Sequence, residues 1–261
     1  MVVVIKGAGD LASGIALRLF HARFTIIMTE IAAPTAVRRT VSFSEAVIQG
    51  KTSVEDVTAR LVQDDAALKE ALEGGYIPVL VDPAGTLVQR FAPEVLVDAI
   101  MAKRNLGTRI NDAQVVIGVG PGFTAGVDCH AVIETQRGHH LGRVITEGAA
   151  IPNTGIPGDI GGYTRERLLR APAAGLFEPH RRIGEWVHRG DRVATVSGFP
   201  VHAKVDGILR GILPAGIAVT LGMKVGDVDP RCELSHCFSV SDKALSVAGG
   251  VLEGILRFTG G

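Results

Sequence analysis

A glycine-rich segment near the start of the chain has the residue types and spacing that can hold a negatively charged group. Gly7, Gly9 and Ala12 form a G-x-G-x-x-A pattern directly after the apolar, β-branched run Val2–Ile5. In this pattern the first glycine permits a tight strand-to-helix turn, the second lets a pyrophosphate approach the backbone, and the third small residue lets the helix pack closely. The pattern predicts a phosphate-binding turn. Its predicted ligand-binding residues are Gly7, Gly9, Asp10, Ala12 and Ser13.

An acidic residue follows the second predicted strand. Glu30 lies 23 residues after Gly7, directly after the predicted strand Phe24–Thr29. In dinucleotide-binding folds an acid at this place accepts a hydrogen bond from a ribose hydroxyl. In the simpler alternative, the glycines only make a tight turn and Glu30 is a solvated strand end.

Two adjacent arginines, Arg38 and Arg39, come shortly after the second predicted strand. Guanidinium groups make bidentate contacts with phosphates, so this pair could bind a phosphate on the ribose or another anion. The alternative is a solvated loop with no ligand.

A second glycine-rich turn contains Gly118, Gly120 and Gly122 and follows the apolar strand Val115–Val119. Ligands of open parallel sheets collect at the carboxyl ends of the strands. We therefore expect this turn to face the same crevice as the first one and to take part in cofactor binding.

The candidate catalytic residues are Asp128, His130 and Cys237. Asp128 and His130 follow the second turn and could act as acid or base. Cys237 precedes the last predicted helix, where a thiol can have a lowered pKa and act as a nucleophile, although a small buried hydrophobe is the simpler role. Cysteine and histidine show neither C-x-x-C nor H-x-x-x-H spacing, and we predict no metal site.

Alternating strands and helices must position these residues. They predict an α/β fold in which residues 1–147 form a Rossmann-like, doubly wound parallel sheet. A linker rich in glycine and proline follows at 148–162, and short strands with Gly-Asp and Asp-Gly turns predict a small all-β domain at 163–233. This domain resembles the barrel-sandwich hybrid of biotinyl and lipoyl carriers. Residues 234–261 are predicted to form a C-terminal helix that packs back on the first domain.

The overall composition argues against several classes of partner. Lysine plus arginine and aspartate plus glutamate each number 27, which gives no electrostatic reason to expect nucleic acid or an anionic membrane surface. No apolar run is long enough for a bilayer span, and three cysteines are too few for a disulfide framework. We expect a cytoplasmic protein.

Several segments together resemble one family. These are Lys6–Gly14, Arg38–Phe43, Gly118–Phe123, Asp128–Arg143 and Gly226–Arg231. In combination they are similar to the YqeB-type proteins associated with the selenium-dependent molybdenum hydroxylase system. The resemblance implies an accessory or maturation protein of that system, with a hydroxylase subunit as partner, and it does not name a reaction.

Three functions follow from these observations. The first is a maturation factor, a homo-oligomer that binds a nucleotide or nucleotide-containing cofactor, NAD(P) or a molybdopterin nucleotide, at the first glycine turn. The second is an NAD(P)-dependent oxidoreductase. The third is a noncatalytic assembly module in which the glycine turns are only structural.

Overall fold

The computed structural model describes residues 1–260 and divides the chain into two compact units. Unit 1 contains Met1–Pro34, Ser42–Thr154 and the chain from Val240 onward. Unit 2 contains Thr35–Val41 and Gly155–Ser239. Each unit is therefore built from segments that are distant in sequence. No helix within residues 1–260 is both long and apolar enough to cross a membrane.

Unit 1 contains a large sheet and five helices. The strands are β1 Val2–Lys6, β2 Thr25–Glu30, β3 Lys51–Val54, β4 Val57–Leu61, β5 Ile77–Val81, β6 Val95–Asp98, β7 Val115–Val119, β8 Thr124–Ala125, β9 Ala131–Ile133, β10 Val144–Ile145 and β11 Gly148–Ala149. The helices are α1 Asp10–His21, α2 Glu45–Gln49, α3 Asp65–Glu73, α4 Thr86–Phe91 and α5 Asp242–Thr259.

Nine of these strands form one mixed sheet in the order β10-β9-β7-β6-β1-β2-β5-β4-β3, and β8 pairs with β11 separately. The neighbours from β9 to β4 in this order run parallel, whereas β3 with β4 and β9 with β10 are antiparallel. The central strands are apolar and β-branched, which suits strands that are buried on both faces.

The prediction of a Rossmann-like, doubly wound parallel sheet is wrong. Both edges of the sheet are antiparallel, so the sheet is mixed. In addition, residues 99–114 and 120–130, which connect β6 to β7 and β7 to β9, contain no helix. The sequence pattern describes one part of the sheet correctly, because β1, α1 and β2 form a parallel β-α-β unit, but this unit does not repeat through the whole sheet.

The end of the chain supplies the helix that covers one face of unit 1. Ser241 caps α5 because its hydroxyl accepts a hydrogen bond from the Ala244 amide at 3.2 Å. Helix α5 packs against α1 so closely that a Cβ atom on Gly14 would lie 2.7 Å from the Ala244 Cβ. The opposite face of the sheet is covered by α3 and α4, whose Leu68 and Leu87 belong to its hydrophobic core.

Unit 2 is a two-sheet β structure. Its strands are β12 Leu168–Arg170, β13 Gly175–Pro179, β14 Trp186–Val187, β15 Arg192–Val196, β16 Phe199–His202, β17 Gly207–Ile212, β18 Ala218–Val219 and β19 Lys224–Asp229. They form two antiparallel four-stranded sheets, in the orders β12-β19-β17-β14 and β16-β15-β13-β18. Phe177 of one sheet and Leu209 of the other belong to the same hydrophobic core. Two short 3-10 helices, Arg39–Val41 and Leu234–Cys237, complete the unit.

Candidate functional site

The carboxyl ends of three neighbouring strands bring polar side chains to one edge of the unit 1 sheet. Strand β1 ends at Lys6, β2 ends at Glu30 and β6 ends at Asp98. Because β1 runs parallel to both β2 and β6, these residues lie at the same edge. The first glycine turn follows Lys6 directly, so the edge combines charged side chains with the amides that open α1.

Gly7 is required by the local backbone. Its φ is +93°, a conformation that favours glycine, and a Cβ atom there would lie 3.0 Å from the Ala99 carbonyl oxygen. Its amide donates to the Thr29 carbonyl at 2.9 Å. Gly7 therefore has a structural reason to be glycine whether or not a ligand binds.

Gly9 differs from Gly7 in this respect. It is the N-cap of α1 with φ −69° and ψ −176°, values that any residue can adopt, and it provides no side-chain cap. The first four amides of a helix have no partner within the helix. Within residues 1–260, the amides of Gly9 and Ala12 donate no hydrogen bond to another protein atom. These two amides are therefore left without a hydrogen-bond partner in the protein, and Gly9 adds no side chain beside them.

Glu30 connects the glycine turn to the end of β2 through two hydrogen bonds. Its Oε2 accepts a hydrogen bond from the Ala8 amide at 3.0 Å, and its Oε1 accepts one from the Ile31 amide at 2.8 Å. Burial raises the pKa of Glu30, and the two backbone hydrogen bonds oppose that rise. A carboxylate has about four lone-pair positions, so two remain for another donor. The structure thus places Glu30 at the turn, where the sequence predicts it.

Three other predicted residues of this turn have local structural partners. The Ser13 hydroxyl donates to the Ala8 carbonyl at 3.1 Å and accepts from the Phe43 amide at 2.8 Å. Asp10 accepts a hydrogen bond from the Leu11 amide through its Oδ1. Ala12 is buried in the helix packing. These residues shape the turn, and the ligand-binding role predicted for them stays a prediction.

Lys6 belongs to a hydrogen-bonded group with Thr108 and Asp98 that no sequence pattern indicates. Its Nζ donates to the Thr108 hydroxyl at 2.6 Å and lies 3.4 Å from Asp98 Oδ2. The Thr108 hydroxyl in turn donates to Asp98 Oδ2 at 2.6 Å. Only 13% of the Lys6 side chain and 2% of the Asp98 side chain are exposed. The edge therefore holds a largely buried ammonium beside the glycine turn.

A second lysine is positioned by α5. Burial lowers the pKa of Lys243, while the charge of Asp10 in the first turn of α1 raises it. Lys243 thus contributes positive charge near the start of α1. Neither periodicity nor spacing in the sequence marks Lys6 or Lys243, because Lys6 reaches the edge through strand pairing and Lys243 through helix packing between distant segments.

The second glycine turn is filled by protein atoms. A Cβ on Gly118 would lie 2.5 Å from the Phe123 ring, and one on Gly122 would lie 2.6 Å from the Arg104 backbone. A Cβ on Gly120 would meet the Thr135 hydroxyl at 2.8 Å. Close packing against other parts of the protein explains why all three positions are glycine. Cofactor binding at this turn stays a prediction.

The two predicted anion-binding arginines belong to unit 2. The Arg38 guanidinium is buried and donates to the carbonyl oxygens of His236 and Ser239, each at 3.1 Å. Arg39 begins the short helix Arg39–Val41. The structure therefore assigns both residues to a different unit from the glycine turn.

Asp128 and His130 are each used in local hydrogen bonds. Asp128 accepts from the Thr124 amide at 2.7 Å and from the Asn105 side chain at 3.2 Å. His130 Nδ1 accepts from the Val116 amide at 3.0 Å, and its ring lies 5.7 Å from the Phe258 ring. No hydrogen bond or ion pair joins Asp128 to His130 within residues 1–260. Their catalytic role stays a prediction.

Two of the three cysteines, Cys129 and Cys237, have buried environments that disfavour the thiolate. Cys237 is fully buried in the second 3-10 helix, and burial raises its pKa, whereas the sequence suggested a lowered value. Burial also raises the pKa of Cys129 to about 11. Cys232 is exposed, and all three cysteines are free thiols. Among the residues that the structure describes, no group of three or more histidine, cysteine, aspartate or glutamate side chains could hold a metal ion.

No protein-family model matches the chain. Over 254 residues the chain is 52% identical to the uncharacterized protein YqeB of Escherichia coli K12, a match that covers 97% of this chain and 47% of that protein. The chain is a homologue of YqeB. It spans about half the length of this curated relative, whose name states no activity.

The solved structures that match are distant. One is an aspartoacylase family protein from Mesorhizobium loti, with 14% identity, a TM-score of 0.30 and coverage of 87% of this chain and 84% of that chain. Another is a succinylglutamate desuccinylase/aspartoacylase from Rhodobacter sphaeroides, with 18% identity, a TM-score of 0.28 and the same two coverages. At these TM-scores neither match carries an inference about fold or activity.

Proposed function

We propose that the chain is an accessory protein of a selenium-dependent molybdenum hydroxylase system that binds a nucleotide-containing cofactor at the carboxyl edge of the unit 1 sheet. The phosphate of the cofactor lies over the amides of Gly9 and Ala12. Glu30 accepts a hydrogen bond from a ribose hydroxyl through its remaining lone pairs. The chain binds and orients the cofactor, and no reaction is assigned to it.

One observation carries the binding half of this proposal. Gly9 has backbone angles that any residue can adopt, yet it has no side chain to cap α1. A helix N-terminus with unoccupied amides and a positive dipole end favours an anion. Gly9 has no side chain at this end of the helix, and dinucleotide-binding turns place glycine there so that a phosphate can approach the backbone.

The charges around the turn support an anionic ligand. Lys6 is the last residue of the strand that leads into the turn, and Lys243 lies close enough to Asp10 for their charges to interact. Both ammonium groups are partly or largely buried, where electrostatic attraction to a phosphate is screened less than at a free surface. Glu30 is held rigidly by two amides, so little conformational entropy is lost when it accepts a ribose hydroxyl.

The pathway half of the proposal rests on sequence resemblance. The combined segments that resemble the YqeB-type proteins extend over nearly the whole chain, and the homologue from Escherichia coli is similar over 97% of it. The partner proposed on this basis is a subunit of the hydroxylase. An oxidoreductase function has less support, because Asp128 and His130 are each occupied by a local hydrogen bond.

Replacing Gly9 by serine tests whether a cofactor binds at the first glycine turn, at a position whose backbone angles any residue can adopt. Serine is a favoured N-cap, and its hydroxyl would accept a hydrogen bond from a first-turn amide. We expect Gly9→Ser to keep the melting temperature of the free protein and to abolish the thermal shift produced by NAD or a molybdopterin nucleotide. Gly249→Ala, on the open side of α5, is the matched control and keeps the shift. An unchanged melting curve of the native protein with both nucleotides contradicts the proposal.

A further inference from the structure

The outward face of helix α5 has an apolar stripe that the function proposed above does not use. Leu245, Leu252 and Leu256 are separated by seven and four residues, a spacing that places side chains on one face of a helix and recurs in coiled coils. Leu245 is 42% exposed and Leu256 is 43% exposed, and Leu252 is partly buried. We call these three leucines the α5 stripe.

Packing within unit 1 does not explain the α5 stripe. The face of α5 that packs on the sheet is formed by other residues, among them Val247, Val251 and Ile255, all of which are fully buried. A helix that covers a sheet normally presents polar side chains on its opposite face. An exposed row of leucines in that place is typical of a surface that contacts another molecule.

A groove of about 670 Å³ runs along the α5 stripe. It is lined by Arg18, Gly249, Leu252, Glu253, Leu256 and Arg257. A Cβ atom on Gly249 would have no neighbour within 4 Å, so the middle of the groove is open. The groove thus has an apolar floor and a charged border.

Charges of opposite sign flank the α5 stripe. Arg18 lies on the side of α1, and its Nη2 donates to the Leu245 carbonyl at 3.4 Å. Helix α1 packs against Ala244, which is about 100° around α5 from Leu245, whereas Glu253 is about 80° around in the other direction. Within residues 1–260, neither Arg18 nor Glu253 forms an ion pair. Each flank therefore has a charge that the chain itself does not neutralise.

This arrangement of charges is complementary to itself. When two identical helices run parallel about a two-fold axis, each flank of one helix faces the opposite flank of the other. Such a pair brings Arg18 towards Glu253 of the partner subunit, and the symmetry repeats the contact. Because helical side chains tilt towards the N-terminus, Glu253 extends back to the level of Arg18. An antiparallel pair would instead bring Arg18 to the flank that carries Arg18 of the partner subunit.

We propose that the α5 stripe is the interface with a second copy of this chain, in a two-fold dimer whose α5 helices run parallel. Leu252 and Leu256 pack against the same two residues of the partner subunit and exclude water from the groove. Arg18 forms an ion pair with Glu253 of the partner subunit at each edge. Such a contact is isologous, as in most soluble dimers. The interface uses only α1 and α5, and it does not depend on cofactor binding at the glycine turn.

Sedimentation of the full chain over a range of protein concentrations tests this proposal. We expect the native protein to dimerise. Arg18→Glu and Glu253→Arg should each raise the dissociation constant about tenfold or more, because like charges then face each other. The double variant Arg18→Glu/Glu253→Arg restores the opposite signs and should recover most of the affinity. Lys69→Glu, an exposed charge reversal on α3 across the sheet, is the matched control and should dimerise like the native protein.

Leu256→Lys tests the apolar part of the interface. The side chain of Leu256 is largely exposed in a single chain, so the substitution should preserve the fold, and we expect the variant to be monomeric. A native protein that stays monomeric at every concentration overturns the proposal and leaves the groove to a different partner. The proposal is also overturned if Leu256→Lys dimerises like Lys69→Glu, or if the double charge reversal binds no better than its single variants.

Discussion

Gly250 of helix α5 packs directly against the carbonyl oxygen of Gly142, and a Cβ atom at this position would collide with that oxygen. Gly249, one residue earlier on the same helix, has no atom within 4 Å of the equivalent Cβ position. Two adjacent glycines of identical helix propensity therefore have opposite roles. One permits close contact between α5 and the chain after β9, and the other only weakens the helix.

Alanine at these two positions should change stability in opposite directions. Gly250→Ala forces apart a tight backbone contact, and we expect it to lower the free energy of unfolding by about 1–3 kcal/mol. Gly249→Ala should raise it by up to about 1 kcal/mol through helix propensity. Urea denaturation of both variants beside the native protein measures the difference. Equal effects of the two substitutions would show that the packing of α5 is misassigned.

The sequence could predict local elements well and long-range placement poorly. The apolar run before Gly7 and the Ser241–Asp242 pair mark β1 and the start of α5, because strand propensity and helix capping act between near neighbours. Lys6 and Asp98 could not be paired from sequence, since their contact depends on β1 lying next to β6. The mixed edges of the sheet escaped prediction for the same reason.

The glycines show this limit most clearly. Gly118 and Gly122 follow the pattern of a ligand-binding turn, but Phe123 and the Arg104 backbone fill the space beside them. The spacing of glycines in a sequence indicates only where side chains are absent, and it does not indicate what lies in the space beside them. Whether a ligand or another part of the protein uses the space depends on residues that are distant in sequence.

Thiol reactivity should distinguish the three cysteines. Cys232 is exposed, whereas Cys129 and Cys237 are buried with raised pKa values. At pH 8 we expect one thiol per native chain to react rapidly with an aromatic disulfide reagent, and three to react in denaturant. In Cys232→Ser the rapid phase should disappear. A rapid phase that persists in this variant would place Cys129 or Cys237 at the surface.

Glu30 should make a measurable contribution to the pH dependence of stability. Burial raises its pKa above the ordinary value of 4.5, so its contribution is complete below pH 4.5 and is lost as the pH rises through the folded-state pKa. The free energy of unfolding of the native protein minus that of Glu30→Gln should therefore fall as the pH increases from about 4 to 7. Urea denaturation at several pH values gives this difference, and an increase with pH would contradict the burial of the carboxylate.

Removing only one partner of the ion pair between Lys6 and Asp98 should lower the free energy of unfolding. Lys6→Met leaves the Asp98 carboxylate buried with fewer partners, and we expect a loss of about 3 kcal/mol in the free energy of unfolding. Asp98→Asn combined with Lys6→Met should recover part of that loss, because the uncompensated charge is then absent. Additive losses in the double variant would show that the two groups do not interact.

Mass spectrometry of the native protein, purified without added nucleotide, is the most direct test of the proposed binding site. We expect the native protein to retain a nucleotide-containing molecule at one copy per chain, and Gly9→Ser to lose it at unchanged stability. A native protein that carries no nucleotide and gains none on addition of NAD or a molybdopterin nucleotide would contradict the account, as would equal retention by Gly9→Ser.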